Sequence, residues 1–332
     1  MAQGVDRDEI VDASRRLLGS IPEKVEFPGG RSRRSVRVCC EGKSYIFSLR
    51  RLAGKAEREV WALETLGRAG APVPELVAFD GTWLVQEDLG SERLSTALNF
   101  ASPETAEAGL VAAVEALSLC HRAGKSLAAS DRVRRLGATL EWTKGLAGFV
   151  GKVSQRLDLG TPELDLAELH RILRPRVPSL VKWDARPGNA CIRNDGSVGW
   201  FDWEHCGLRN PTDDMVWLLA DEFVPDNPAL EAQLVEQHAV SVFGDFLDLS
   251  IVREYYAVFA ALHSAARLEL ILSKRKQHWW DWRTCVEFDR IGVTLEAGSR
   301  LCRRGARVSE QSALTRALSP WFLTVEEHLK AL

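Results

Sequence analysis

The residues best suited to chemistry lie in one short run, Asp184-Ala185-Arg186-Pro187-Gly188-Asn189, with Phe201-Asp202-Trp203-Glu204 close behind it. Apolar pieces at Leu180-Val181, Cys191-Ile192 and Val198–Phe201 flank them, so they read as loops and strand ends. A D-x-x-x-x-N loop supplies a carboxylate and a neutral amide oxygen. An Asp at the next strand end adds a charged oxygen. Phosphoryl transfer needs such groups: a carboxylate to orient a hydroxyl, and oxygens to hold Mg²⁺ on the phosphates. On this reading Asp184 orients the hydroxyl, Asn189 and Asp202 hold the metal, and Arg186 brings positive charge to the transferring phosphate. Each piece alone is an ordinary turn. Their order, after a β-rich segment, is what points to chemistry.

The segment Lys182–Ile192 resembles the H-G-D-x-x-x-G-N-h-h-h motif of aminoglycoside phosphotransferase-like enzymes, the family that includes choline kinase-type proteins. Phe201–Glu204 resembles their I-D-[WF]-[ED] metal motif, and Asn210-Pro211-Thr212-Asp213-Asp214-Met215 their D-P-x-x-D-L segment. The resemblance covers residues 25–220. It implies an α+β, bilobal protein-kinase-like fold with a small β-rich N-lobe and a larger helical C-lobe. It makes Asp184 the catalytic Asp, Asn189 and Asp202 the Mg²⁺ ligands, and Asp214 a buried brace under the catalytic loop. It puts Arg50 on the nucleotide phosphates and Glu59 in an ion pair with it. Gly29, Gly30 and Ser32 resemble the family's nucleotide loop, and the backbone of Gln86 and Asp88 falls where the adenine is met. ATP or GTP would be the co-substrate, with Mg²⁺. The partner would be a small-molecule hydroxyl acceptor, an antibiotic or a metabolite. Two positions depart from the pattern: His-Gly before the catalytic Asp is Lys182-Trp183, and the first Asp of D-P-x-x-D is Asn210. Neither removes a group that touches metal or phosphate. The departures mark a divergent member, and keep a non-catalytic nucleotide-binding regulator as the alternative.

The elements that must position these groups are legible as patterns. Residues 5–18 carry apolar side chains at helical spacing. Strands are expected at Val36–Cys40 and Tyr45–Arg50, a helix over 54–69, and a hairpin at Leu76–Phe79 and Trp83–Gln86. The chain therefore divides into an N-lobe over 1–88 and a C-lobe over 89–332. In the C-lobe, helices are expected over 103–124, 131–150 and 162–173, and mostly helix from 211 onward. The spacing reads Asp221, Glu222 and Asp226 as a solvated helix end, and His278-Trp279-Trp280-Asp281-Trp282 as packing on a helix. His121 reads as structural.

The chain has 332 residues, formal net charge −3, 45% hydrophobic and 27% charged residues. That length can bury a large core. The charge lacks the basic bias of a nucleic-acid or membrane-surface binder. Seven scattered cysteines without C-x-x-C predict reduced, buried thiols. MAQGVDRDEI is charged and has no apolar stretch, so no signal peptide is expected there. The expectation is a cytoplasmic protein, monomeric or homodimeric.

Overall fold

A computed structural model describes residues 5–31, 33–129, 133–175, 178–244 and 248–332. The N-lobe is built on one antiparallel sheet. Its strands are β1 (Lys24–Glu26), β2 (Ser35–Cys40), β3 (Lys43–Leu49), β4 (Leu76–Phe79) and β5 (Trp83–Glu87), in the order β1-β2-β3-β5-β4. On β2, Val36, Val38 and Cys40 are fully buried, following the two-residue period of a half-covered strand. They pack under helix α1 (Arg7–Leu18), whose Ile10 and Ala13 complete a small core with Phe47 and Val85. On the other side, Ala62, Leu63 and Leu66 of helix α2 (Ala53–Arg68) join Leu84 in the main core.

Past the sheet come β6 (Glu92–Arg93), α3 (Leu94–Phe100) and α4 (Pro103–Gly124). Ser102 caps α4 and Pro103 occupies its first turn. The next two helices differ from the sequence expectation. Helix α5 spans Leu140–Leu157, not 131–150, because Thr139 caps it through the Trp142 N–H and the preceding chain is extended, with Leu136 N–H donating to Leu208 O at 3.1 Å. Residues 131 and 132 of that expected helix lie outside the described residues. Helix α6 spans Leu166–Leu173, not 162–173. Asp165 captures the N–H groups of Ala167 and Glu168 at 3.0 Å, so the helix starts there and Pro162 stands outside it.

Short strands carry the chemistry-bearing loops: β7 (Ser179–Val181), β8 (Ala190–Ile192), β9 (Val198–Trp200) and β10 (Gly207–Arg209). β7 pairs with β10, and β8 lies between β6 and β9. Helices α7 (Thr212–Leu219), α8 (Pro228–Phe243), α9 (Leu249–Lys274), α10 (Trp282–Glu287), α11 (Leu295–Ser309) and α12 (Leu318–Ala331) complete the C-lobe. α9 is long and apolar enough to cross a membrane, but it is buried along most of its length as the central helix. The result is an α+β, bilobal protein-kinase-like fold.

The tryptophan run does not lie on one helix. Only Trp282 begins α10; its ring packs on Phe223 and carries the Arg300 guanidinium at 4.7 Å, while Trp279 carries that of Arg275 at 4.6 Å.

Candidate active site

The loop after β7 is held from below. Asp214, fully buried near the start of α7, accepts from the Lys182 N–H at 2.6 Å and the Trp183 N–H at 2.8 Å. His121 on α4 hydrogen-bonds the same carboxylate at 2.9 Å and His238 on α8 at 2.8 Å. Burial drives His238 well below the ordinary histidine range, so it stays neutral there. This clamp turns the chain through two left-handed residues, Trp183 (φ 53°) and Asp184 (φ 71°). Such backbone persists only where surrounding bonds fix it.

Lys182 itself is fully buried. Its ammonium donates to the carbonyls of Asp184 at 3.2 Å and Asp202 at 2.9 Å. One cation thus ties the loop after β7 to the strand end that carries Asp202, itself left-handed at φ 60°. The side chain that replaces the motif's His is a brace of another kind.

Above this floor, Asn189 donates from Nδ2 to the Asp184 carbonyl at 2.9 Å and to its Oδ2 at 3.0 Å. Among the described residues its amide oxygen accepts no hydrogen bond. Burial raises the Asp184 carboxyl above its usual range, against the nearby charges of Arg186 and Lys182. From the N-lobe, Arg50 reaches Glu59 of α2 at 2.7 Å and Asp202 at 3.3 Å. Glu59 is wholly buried, and burial pushes its carboxyl up to about 7 despite the Arg50 charge. Glu204, bonded to His205 and Lys55, is held down at about 2.

A cleft of about 430 Å³ lies between the lobes. Gly29, Arg50, Gln86, Asp88, Asn189 and Asp202 all line it. Gly30 sits in the turn before β2 at φ 85°, a conformation suited to glycine. Ser32 lies outside the described residues. The Gln86 side chain is buried with its oxygen unpartnered. The Asp88 carboxylate holds Arg37 at 2.5 Å and Ser44 at 2.6 Å, fastening the connection between lobes to β2 and β3. Arg186 turns toward the C-lobe, bonding Asp221 at 2.9 Å and facing Asp289 at 3.4 Å.

Three residues correct the sequence reading. Asp221 and Glu222 are fully buried, paired with Arg186 and with Arg267, the latter at 2.5 Å. Asp226 is partly covered and pairs with Arg307 at 2.9 Å. The polar run looked solvated because each arginine partner is remote in sequence. His121, Arg93 and Asp289 also belong to the site. No local pattern marks them, since each arrives from a different element.

This fold and loop geometry define a protein-kinase-like phosphotransferase scaffold. The chain belongs to the phosphotransferase enzyme family, whose model matches residues 25–246. Solved structures of similar fold include an amicoumacin kinase in complex with AMP-PNP and Ca²⁺ (17% identity, 90% of this chain and 94% of that one, TM-score 0.61). A spectinomycin phosphotransferase with ADP and spectinomycin (13%, 89% and 98%, TM-score 0.58) is another. A third is an aminoglycoside 2'-phosphotransferase with GDP (16%, 82% and 93%, TM-score 0.57). A comparison with curated proteins returned no match.

Proposed function

We propose that the protein transfers the γ-phosphate of ATP or GTP to a hydroxyl of a small molecule, with Mg²⁺. The carrying observation is that Arg50, Asn189 and Asp202 line one cleft, with Asp184 bonded to Asn189 on a loop fixed from below. Asp184 accepts or orients the hydroxyl hydrogen. As the acceptor oxygen bonds to phosphorus, the bond from the γ-phosphorus to the β,γ-bridging oxygen breaks and ADP or GDP leaves. The donor set suits Mg²⁺, which takes one or two protein oxygens plus phosphate and water: Asp202 offers a carboxylate and Asn189 an amide oxygen. Bound there, the ion would neutralise charge on the phosphates. Arg50, steadied by Glu59, contributes a fixed cation beside them. Rate enhancement then rests on positioning and electrostatics.

The seven free cysteines, six of them buried, suit a reducing compartment, and we assign the protein to the cytoplasm. The test is nucleoside diphosphate release from Mg-ATP or Mg-GTP over pooled hydroxyl compounds, with Asp184→Asn as blank. Release that needs one pool and disappears in the variant supports the reading. Tight nucleotide binding without release from any pool favours the regulator instead.

A further inference from the structure

Asp289 comes from the loop between α10 and α11, far along the chain from the catalytic segment, yet it lines the same cleft. It packs against Gly188 so closely that a Cβ there would collide with its carboxylate. Three guanidinium groups converge on it from three elements. Arg33, in the turn before β2, donates to its carbonyl at 2.6 Å and lies 4.0 Å from Oδ2. Arg93 on β6 lies 3.4 Å from Oδ2, and Arg186 in the catalytic loop 3.4 Å from Oδ1. Among the described residues Arg93 pairs with no other carboxylate.

The carboxylate contacts are long. A charge-assisted N–H···O bond closes to about 2.7–2.9 Å. Asp289 also holds its backbone in the left-handed region at φ 44°. Asp289 therefore makes only long side-chain contacts to three guanidinium groups, and of these, among the described residues, only Arg186 has a second carboxylate close by, Asp221 at 2.9 Å. Arg186 belongs to the loop that carries Asp184, and Arg93 follows the connection between the lobes. The cradle thus flanks the catalytic carboxylate, whereas Arg50 serves the metal side. The acids that would receive a cationic acceptor are engaged: Asp221 and Glu222 are buried against arginines.

We propose that Arg33, Arg93 and Arg186 form an anion subsite for the acceptor, occupied here by Asp289, so that the substrate class is a hydroxy compound bearing a carboxylate or phosphate. This rests on the phosphotransfer reading. The acceptor's anion displaces Asp289 and fixes its hydroxyl at Asp184. Anionic acceptors bind; polycations are repelled by the same arginines.

The test is calorimetric titration of inorganic phosphate, and separately of citrate, into full-length protein with and without saturating Mg-AMP-PNP. Removing the internal competitor in Asp289→Ala should tighten phosphate binding about tenfold. Arg93→Ala should weaken it about tenfold, with circular dichroism unchanged. Both effects should persist with AMP-PNP bound. Phosphate binding abolished by AMP-PNP would give the cradle to the nucleotide's γ-phosphate and overturn the acceptor assignment. Unchanged phosphate affinity in Asp289→Ala would overturn the subsite altogether. If AMP-PNP itself does not bind, the phosphotransfer reading falls, while the nucleotide-free titrations still decide whether the anion subsite exists.

Discussion

The floor and the mouth of the cleft are both networks of charge, and they are built to opposite tolerances. Under the loop after β7, the fully buried Asp214 accepts bonds of 2.6, 2.8 and 2.9 Å from the Lys182 and Trp183 N–H groups and from His121. At the mouth, guanidinium groups stand 3.4–4.0 Å from the Asp289 carboxylate. Short buried bonds leave no alternative partner and fix geometry, because any unmade bond there carries its full desolvation penalty. Long contacts beside a cleft can be exchanged for those of a ligand. On the proposed reading, the floor positions the chemistry and the mouth selects the acceptor.

The largest effect should come from the floor. Asp214→Ala strands two backbone N–H groups and His121, and should cost about 3–5 kcal/mol in urea unfolding. A loss as small as that of a surface acid would show the clamp to be dispensable. Lys182→Met removes the tie between the catalytic loop and the Asp202 strand end. It should cost about 2 kcal/mol of stability and lower turnover at saturating nucleotide more than it raises the nucleotide KM. An unchanged maximal rate would mean the two loops keep their spacing without it.

Acid dependence tests Asp184 itself. Its carboxyl is raised by burial, so between the unfolded and folded pKa the native state holds more protons. Its contribution to stability must then fall as pH rises through that window, while activity rises as the carboxylate forms. Thermal unfolding of wild type against Asp184→Asn across pH should show the asparagine variant gaining relative stability from about pH 4 upward. The reverse slope would contradict the burial argument. At the mouth, Asp289→Ala should change stability by less than about 1 kcal/mol. A cost equal to that of Asp214→Ala would erase the contrast between the two regions.

Much of the site was legible because it is linear. Asp184, Asn189 and Asp202 fall within nineteen residues on loops between short strands, and the hairpins that carry Arg50 and Gln86 show their alternation plainly. Strands β2 to β5, α2 and α4 followed from periodicity, whereas β1 (Lys24–Glu26), three residues long, did not. The start of α5 did not, since a tertiary strand-like contact to β10 overrides the local pattern. Nor did the burial of Asp221 and Glu222, whose partners Arg186 and Arg267 lie 35 and 45 residues away. Arg33 and Asp289 meet across 256 residues. Charged side chains read as solvated until the fold supplies the opposite charge.

The most direct measurement pairs nucleotide affinity with turnover in one variant, Asp184→Asn. Mg-ATP affinity within about twofold of wild type, with turnover reduced on the order of 10²–10⁴-fold, is the result predicted for a carboxylate that acts only on the acceptor hydroxyl. Retained turnover, or lost nucleotide affinity in a correctly folded variant, would contradict it.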